Sequence, residues 1–130
     1  MNILIENDTH LFWEEEGFLC FRYKVSNVDL EVAKKGLEAR KKLFNKEPYW
    51  IFMDMRGLKS VTSEARRFYS SDEGNHNCMG TAALTEDALT RIIGSFYINF
   101  NRPKIPFKLF STKEKAFQWL HALKNAGKEE

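Results

Sequence analysis

The residues able to do chemistry gather between positions 54 and 67. Asp54 closes the apolar run Tyr49-Trp50-Ile51-Phe52-Met53, and Met55-Arg56-Gly57 follow at once. Ser60, Thr62 and Ser63 stand just ahead of a helical pattern, with Arg66 and Arg67 one turn on. The order reads as a buried strand, a polar loop and a capped helix. A phosphate on Ser63 would meet unpaired backbone N–H groups and the positive end of a helix dipole. Arg66 and Arg67 supply cations to pair with it. The plainer chemistry for Ser60, Thr62 or Ser63 is a helix N-cap, a position that favours these residue types. Asp54 is expected to accept from loop N–H groups or from Arg56, since buried carboxylates need such partners. The candidate surface for a partner or ligand is therefore Asp54, Arg56, Ser60, Thr62, Ser63 and Arg66, with Ser63 as the candidate phosphoacceptor.

Other chemistry-bearing residues fall short of a constellation. Asp54 as a phosphorylated aspartate would need an acidic pair at another strand end and a crossover helix after the first strand. The first two strands are instead joined by a tight hairpin, which leaves no room for that helix. His76 and Cys78 stand two apart with Asp72 nearby. Metal sites need three or four ligands at recognised spacings, so this is read as a surface turn and no metal is expected. Cys78 as a nucleophile would need a base and an orienting group beside it, and no spacing supplies them. Glu14, Glu15 and Glu16 fall in a turn and are read as solvated, and no glycine-rich phosphate loop is present. No catalytic residue and no cofactor are expected, and the chain is read as not an enzyme.

The positioning elements follow from periodicity. Leu19, Phe21, Tyr23 and Val25 alternate with Cys20, Arg22 and Lys24, a strand with one buried face. It forms a hairpin with Thr9–Glu15 through Glu15-Glu16-Gly17. A wide amphipathic helix spans Leu30 to Phe44, capped by Ser26, Asn27 or Asp29, with Arg40 snorkelling out of its apolar arc. Asn45-Lys46-Glu47-Pro48 breaks it. Tyr49–Met55 shows no polar alternation before Asp54, as expected of a central parallel strand covered on both faces. A second helix starts near Thr62, and Thr81–Thr85 is a short strand. A third helix from Glu86 carries Leu89, Ile92, Ile93, Phe96 and Phe100 on a narrow face read as core. Tyr97 and Ile98 fall off that arc and are read as an interface between subunits, so a homodimer is one expected assembly. Phe107–Phe110 is the last strand. Ser111 with Glu114 makes a capping box for a final helix that frays over about 124–130.

The result is one domain over 1–130. Its fold class is α/β, a mostly parallel sheet with an N-terminal hairpin in the order β-β-α-β-α-β-α-β-α. Its 130 residues, 43% hydrophobic and including eleven Phe, can bury a sizeable core. The net charge of +2 announces neither a nucleic-acid nor a membrane binder. A basic stretch from Ala88 to Lys113 holds no acid, and is read as the solvated edge of the third helix. No apolar run is long enough to insert in a membrane. Cys20 and Cys78 fit no disulfide framework and are read as free thiols, and no signal-peptide pattern is seen at the N-terminus. A cytoplasmic location is the expectation.

Met53-Asp54-Met55-Arg56-Gly57-Leu58, Thr62-Ser63-Glu64-Ala65-Arg66, and Asn101-Arg102-Pro103 leading into Leu109-Phe110-Ser111 resemble a STAS domain. This is the fold of SpoIIAA-type anti-sigma-factor antagonists, and the resemblance is nearest to small uncharacterised bacterial proteins with a SpoIIAA-like fold. It covers nearly the whole chain. In such antagonists an Asp-Ser-Ser-Gly segment opens a helix after a strand, and a partner kinase phosphorylates its first serine. The resemblance lays Thr62 on the Asp, Ser63 on the phosphoacceptor, Glu64 on the second Ser and Ala65 on the Gly. Only Ser63 keeps the residue type. What it implies is a non-enzymatic regulatory module of bacterial origin that presents the Asp54–Arg67 segment to a protein partner. The competing expectation is a carrier or sensor of a small apolar or anionic ligand, held at the carboxyl ends of the parallel strands.

Overall fold

The computed structural model describes residues 2–44 and 46–128. Asn45, named in the helix break, and Glu129 and Glu130 of the tail lie outside the described residues. In chain order the elements are β1 (Asn2–Glu6), β2 (His10–Glu15), β3 (Phe18–Tyr23), β4 (Asn27–Val28), α1 (Leu30–Phe44), β5 (Tyr49–Asp54), β6 (Ser60–Val61), α2 (Ser63–Ser70), β7 (Cys78–Leu84), α3 (Ala88–Phe96), a π-helical turn over Tyr97–Asn101, β8 (Phe107–Phe110) and α4 (Lys113–Lys128).

Among the described residues, six strands form one sheet in the order β1-β2-β3-β5-β7-β8. β5 is central and runs parallel to both β3 and β7, as its unbroken apolar run requires. β8 continues the parallel set beside β7. β2 and β3 are antiparallel and turn through Glu16 and Gly17, both at positive φ. That pair of backbone angles matches the twist of a two-residue hairpin. The fold is the mostly parallel α/β sheet with an N-terminal hairpin that the sequence predicts. Two additions lay outside that reading. The run Ile3-Leu4-Ile5 becomes part of a sixth, antiparallel edge strand against β2. β4 and β6 pair in parallel over two residues each and tie the loop after β5 to the start of α1.

The sheet buries both faces. Leu19, Phe21, Ile51 and Met53 point to the side covered by α1, α2 and α3. Phe18, Cys20, Phe52 and Leu84 point to the side covered by α4 through Ala116, Phe117 and Leu120. The period of two thus sorts one strand's residues into two cores. Each large side chain so buried is worth roughly 1.5–3 kcal/mol.

The helix ends follow from capping. Asp29 accepts from the Val32 N–H at 2.9 Å and opens α1. Asp87 and Thr90 form a reciprocal capping box at α3. At α4 the cap is Thr112, which accepts from the Lys115 N–H at 3.2 Å, and not Ser111. The same helix continues through the expected frayed segment as far as Lys128.

One helix face is turned around relative to expectation. Leu89, Ile92, Phe96 and Phe100 are 46%, 64%, 43% and 69% exposed, so four of the five residues read as core face out, while Ile93 is half-buried against the core as expected. Thr90, Gly94 and Tyr97 face in. Small residues let the helix approach closely: a Cβ on Gly94 would come within 2.6 Å of a Leu109 methyl. Tyr97, expected at a subunit interface, is buried against the Phe107 ring at 4.9 Å, and Ile98 is half-buried. The reason is the inward packing of the small face, which periodicity of large residues alone does not reveal.

Candidate functional site

The loop after β5 is built by local hydrogen bonds. Asp54 is buried, and its carboxylate accepts from the Arg56 backbone N–H at 3.0 Å. It also receives Arg56 Nε at 3.0 Å and Nη2 at 2.8 Å, a two-pronged ion pair. Leu58 N–H closes a turn onto the Met55 carbonyl, and Gly57 supplies its positive φ. Ser60 donates to Asn27 Oδ1 at 2.7 Å across the small β4–β6 pair. Thr62 is the N-cap of α2 and accepts from the Ala65 N–H at 3.2 Å. Ser63, the first residue of the helix, is exposed. Arg66 turns back instead of outward. It donates to the Val61 carbonyl at 2.7 Å and lies 4.6 Å from the centre of the Phe96 ring.

The six candidate residues therefore do not converge. Ser60, Thr62 and Ser63 lie on the surface, while Asp54 and Arg56 face one side of the sheet and Arg66 the other. On the α4 side, Asp54 and Arg56 line an open cleft of about 480 Å³ at the carboxyl ends of the parallel strands. Phe52, Leu84 and Trp13 form its apolar wall. Its charges are largely matched: Arg56 holds Asp54, and Lys113 holds Glu15 at 2.6 Å.

On the α1–α3 side lies a cavity of about 70 Å³ that the sequence reading did not find. Its walls are apolar, with Phe12, Phe21, Ile51, Met53 and Ile93 among them. Arg40 reaches it from α1. Expected to snorkel, Arg40 is 5% exposed, and donates to the Tyr49 hydroxyl at 3.1 Å and the Gly74 carbonyl at 3.0 Å. Those acceptors lie under the helix and hold the guanidinium inside. The Tyr23 and Tyr69 hydroxyls meet at 2.6 Å. Burial raises the pKa of both, and of Tyr97, so all three stay protonated at neutral pH. His10 stacks on Phe12 and pairs Nδ1 with the Thr9 hydroxyl at 2.7 Å. Burial first, and then the Arg40 charge, lower its pKa to about 4, so it is neutral. Gly36 makes room for the ring, since any Cβ there would come within 2.7 Å of Nε2. The sequence signal for this cavity was Arg40 in an apolar arc one turn after Gly36.

Both cysteines are free and buried. Burial pushes the Cys20 thiol up to about 12 and raises that of Cys78, the opposite of an activated nucleophile. Among the described residues no group of three or more His, Cys, Asp and Glu side chains could hold a metal ion. No helix among them is long and apolar enough to cross a membrane.

Two solved structures share this architecture. One is an uncharacterised protein of the DUF3478 family with a SpoIIAA-like fold from Shewanella loihica PV-4. It is 16% identical, with a TM-score of 0.63 over 92% of this chain and 94% of the other. The second, from Thermotoga maritima, is described as a "putative anti-sigma factor antagonist". It is 13% identical, with a TM-score of 0.52 over 85% of this chain and 92% of the other. The fold is thus STAS-like, as the sequence resemblance implied. No curated protein matches the chain. The family profile described as "Domain of unknown function (DUF7793)" matches residues 12–124, and the chain belongs to that family.

Proposed function

We propose that the protein is a non-enzymatic regulatory module that docks a partner protein through the surface formed by the loop after β5 and the start of α2. The observation that carries this reading is the placement of Ser63. It is exposed at the first position of a helix whose cap is already provided by Thr62. Its hydroxyl is therefore available for contact or modification. A negative charge there suits the free N–H groups of the first turn. The surface continues onto α3, because Arg66 joins α2 to the exposed Phe96 ring. A neighbour of like fold described as an anti-sigma factor antagonist supports a protein partner. The buried thiols and the locally paired Asp54 support a role without catalysis.

The test is binding by variants. The partner is recovered from native lysate with the wild-type chain and identified by mass spectrometry. Its affinity is then measured for wild type, Ser63→Ala, Ser63→Asp and Arg66→Ala. The expected result is a change of at least tenfold for Ser63→Asp, with the melting temperature nearly unchanged. Equal affinity across all four proteins would make this loop purely structural.

A further inference from the structure

Two guanidinium groups face one apolar cavity, and neither meets an anion among the described residues. Arg40 is buried and donates only to neutral acceptors, the Tyr49 hydroxyl and the Gly74 carbonyl. Arg66 donates to the Val61 carbonyl, and its Nε is buried without a hydrogen-bond partner. Among the described residues no aspartate or glutamate lines the cavity. Among the described residues neither arginine forms an ion pair. A cation removed from water without a counter-charge is costly. Water can satisfy stray donors in such a space, but it carries no negative charge. Tyr97 also lines the cavity. The Tyr97 hydroxyl makes no hydrogen bond among the described residues, and burial keeps it protonated as a donor.

We infer that this cavity binds a short-chain aliphatic carboxylic acid as its carboxylate. The acyl body lies among Phe21, Met53, Met55 and Ile93, and Arg66 neutralises the head group with Arg40 adding to the field. Arg66 takes the head group because it is half-buried and stands where the cavity nears the surface, whereas Arg40 is enclosed. The volume sets the chain length. At about 70 Å³ the space is roughly half of the about 150 Å³ apolar cavity that accepts benzene. A body on the order of three to five carbons fits that space. The site goes beyond the partner-docking reading and stands whether or not Ser63 meets a partner.

The test uses the full chain with carbon-13 methyl labels on Met and Ile, titrated with butyrate and isovalerate. Butyramide and inorganic phosphate are the controls. Saturable shifts are expected for the Met53, Met55, Ile51 and Ile93 methyls. The methyls of Met79 and Ile92, both exposed outside the cavity, should not move. Butyrate should bind at least tenfold more tightly than butyramide. Arg66→Gln should weaken butyrate at least tenfold, and Arg66→Lys by less. The absence of a saturable shift with either acid overturns the assignment. So does equal affinity for butyramide, phosphate binding as tight as butyrate, or an unchanged butyrate affinity in folded Arg66→Gln protein. If Arg66→Gln does not fold, the contrast of acid with amide on the wild-type chain decides alone.

Discussion

The two faces of the sheet handle charge in opposite ways. On the α4 face, the cleft at the strand ends pairs Asp54 with Arg56 and Glu15 with Lys113, while its other two charges, Arg22 and Glu86, are exposed to water. On the α1–α3 face, Arg40 and Arg66 sit against an apolar cavity with only neutral acceptors. A paired set is complete in itself and holds its loop in one shape. An unpaired, partly desolvated cation is incomplete, since its burial cost is not offset by attraction within the chain. The place where α/β sheets usually bind ligands is here the self-satisfied one. The unsatisfied one lies inside, under helices that the sequence reads as plain core cover.

The sharpest way to break this contrast is pH. His10 stands on the cavity face, is 1% exposed and has its pKa lowered from 6.5 to about 4. The charged groups acting on it are Arg40, Asp8 and Lys35. Between those two values the unfolded chain binds a proton that the folded chain does not. Stability therefore rises with pH across this window, and is lost as pH falls from about 6.5 towards 4. From pH 7 to pH 5 the expected loss is about 2 kcal/mol. Urea unfolding at the two pH values measures it, and His10→Gln should abolish most of the slope. The carboxylates with lowered pKa, Glu6, Asp8, Glu15 and Asp87, lose their contribution from about pH 5 downward, so the slope between pH 7 and 5 belongs mainly to His10. A flat profile between pH 7 and 5 would mean that the His10 ring reaches water and the cavity is not closed around it.

A pair of substitutions sharpens the contrast at intermediate size. Asp54→Ala removes a buried acceptor and leaves the Arg56 backbone N–H without its partner. Arg56 itself is exposed and regains water, so the expected cost is only about 1–2 kcal/mol. Arg40→Met removes an enclosed charge that has no counter-ion. It leaves the Gly74 carbonyl unpaired, a loss of about 1 kcal/mol, and relieves a desolvated cation, so the net change is expected within about 1 kcal/mol of zero. Chemical denaturation of both variants at pH 7 provides the measurement. If Arg40→Met is the more damaging of the two, Arg40 serves the fold and its charge needs no ligand.

Much of the fold was legible because the sheet writes its burial into the sequence. The apolar run of β5 fixed its central, two-sided position, and the alternation in β3 fixed the hairpin. The Glu16-Gly17 turn followed from local chemistry, which also put Asp29 among the three candidate caps of α1. Three things were not legible, each for a physical reason. β1 is an edge strand with an exposed pattern, so periodicity gave it little weight. α3 carries large apolar residues outward and small ones inward, and the large ones dominate any reading by hydrophobicity. Arg40 was expected to reach water, because long basic side chains usually can. Its acceptors, Tyr49 and Gly74, come from residues 9 and 34 positions away and appear only in three dimensions. Of the candidate loop, spacing narrowed the cap to Ser60, Thr62 or Ser63 and the Asp54 partner to loop N–H groups or Arg56, and the structure selects Thr62 for the cap and gives Asp54 both partners. The inward turn of Arg66 was not readable, since it depends on Phe96 of another helix.

The smallest effects distinguish the two hydroxyls at the start of α2, and so locate the boundary between fold and surface. Thr62 accepts from the Ala65 N–H and begins the helix, while Ser63 projects from its first position. Thr62→Ala should cost about 1 kcal/mol, the usual value of a lost N-cap. Ser63→Ala should change stability by no more than about 0.5 kcal/mol, the range of surface sites that make no special contact. Ser63→Asp should be neutral or stabilising by about 0.3–1 kcal/mol at low salt, because a carboxylate favours the positive end of a helix. That gain should shrink as salt is added, whereas the cost of Thr62→Ala should not, because a hydrogen bond to a neutral hydroxyl is not screened as a surface charge is. Thermal unfolding of the three variants at low and high salt gives both numbers. If Ser63→Ala proves as costly as Thr62→Ala, the hydroxyl of Ser63 is part of the cap, and the docking surface must be sought along the exposed face of α3 instead.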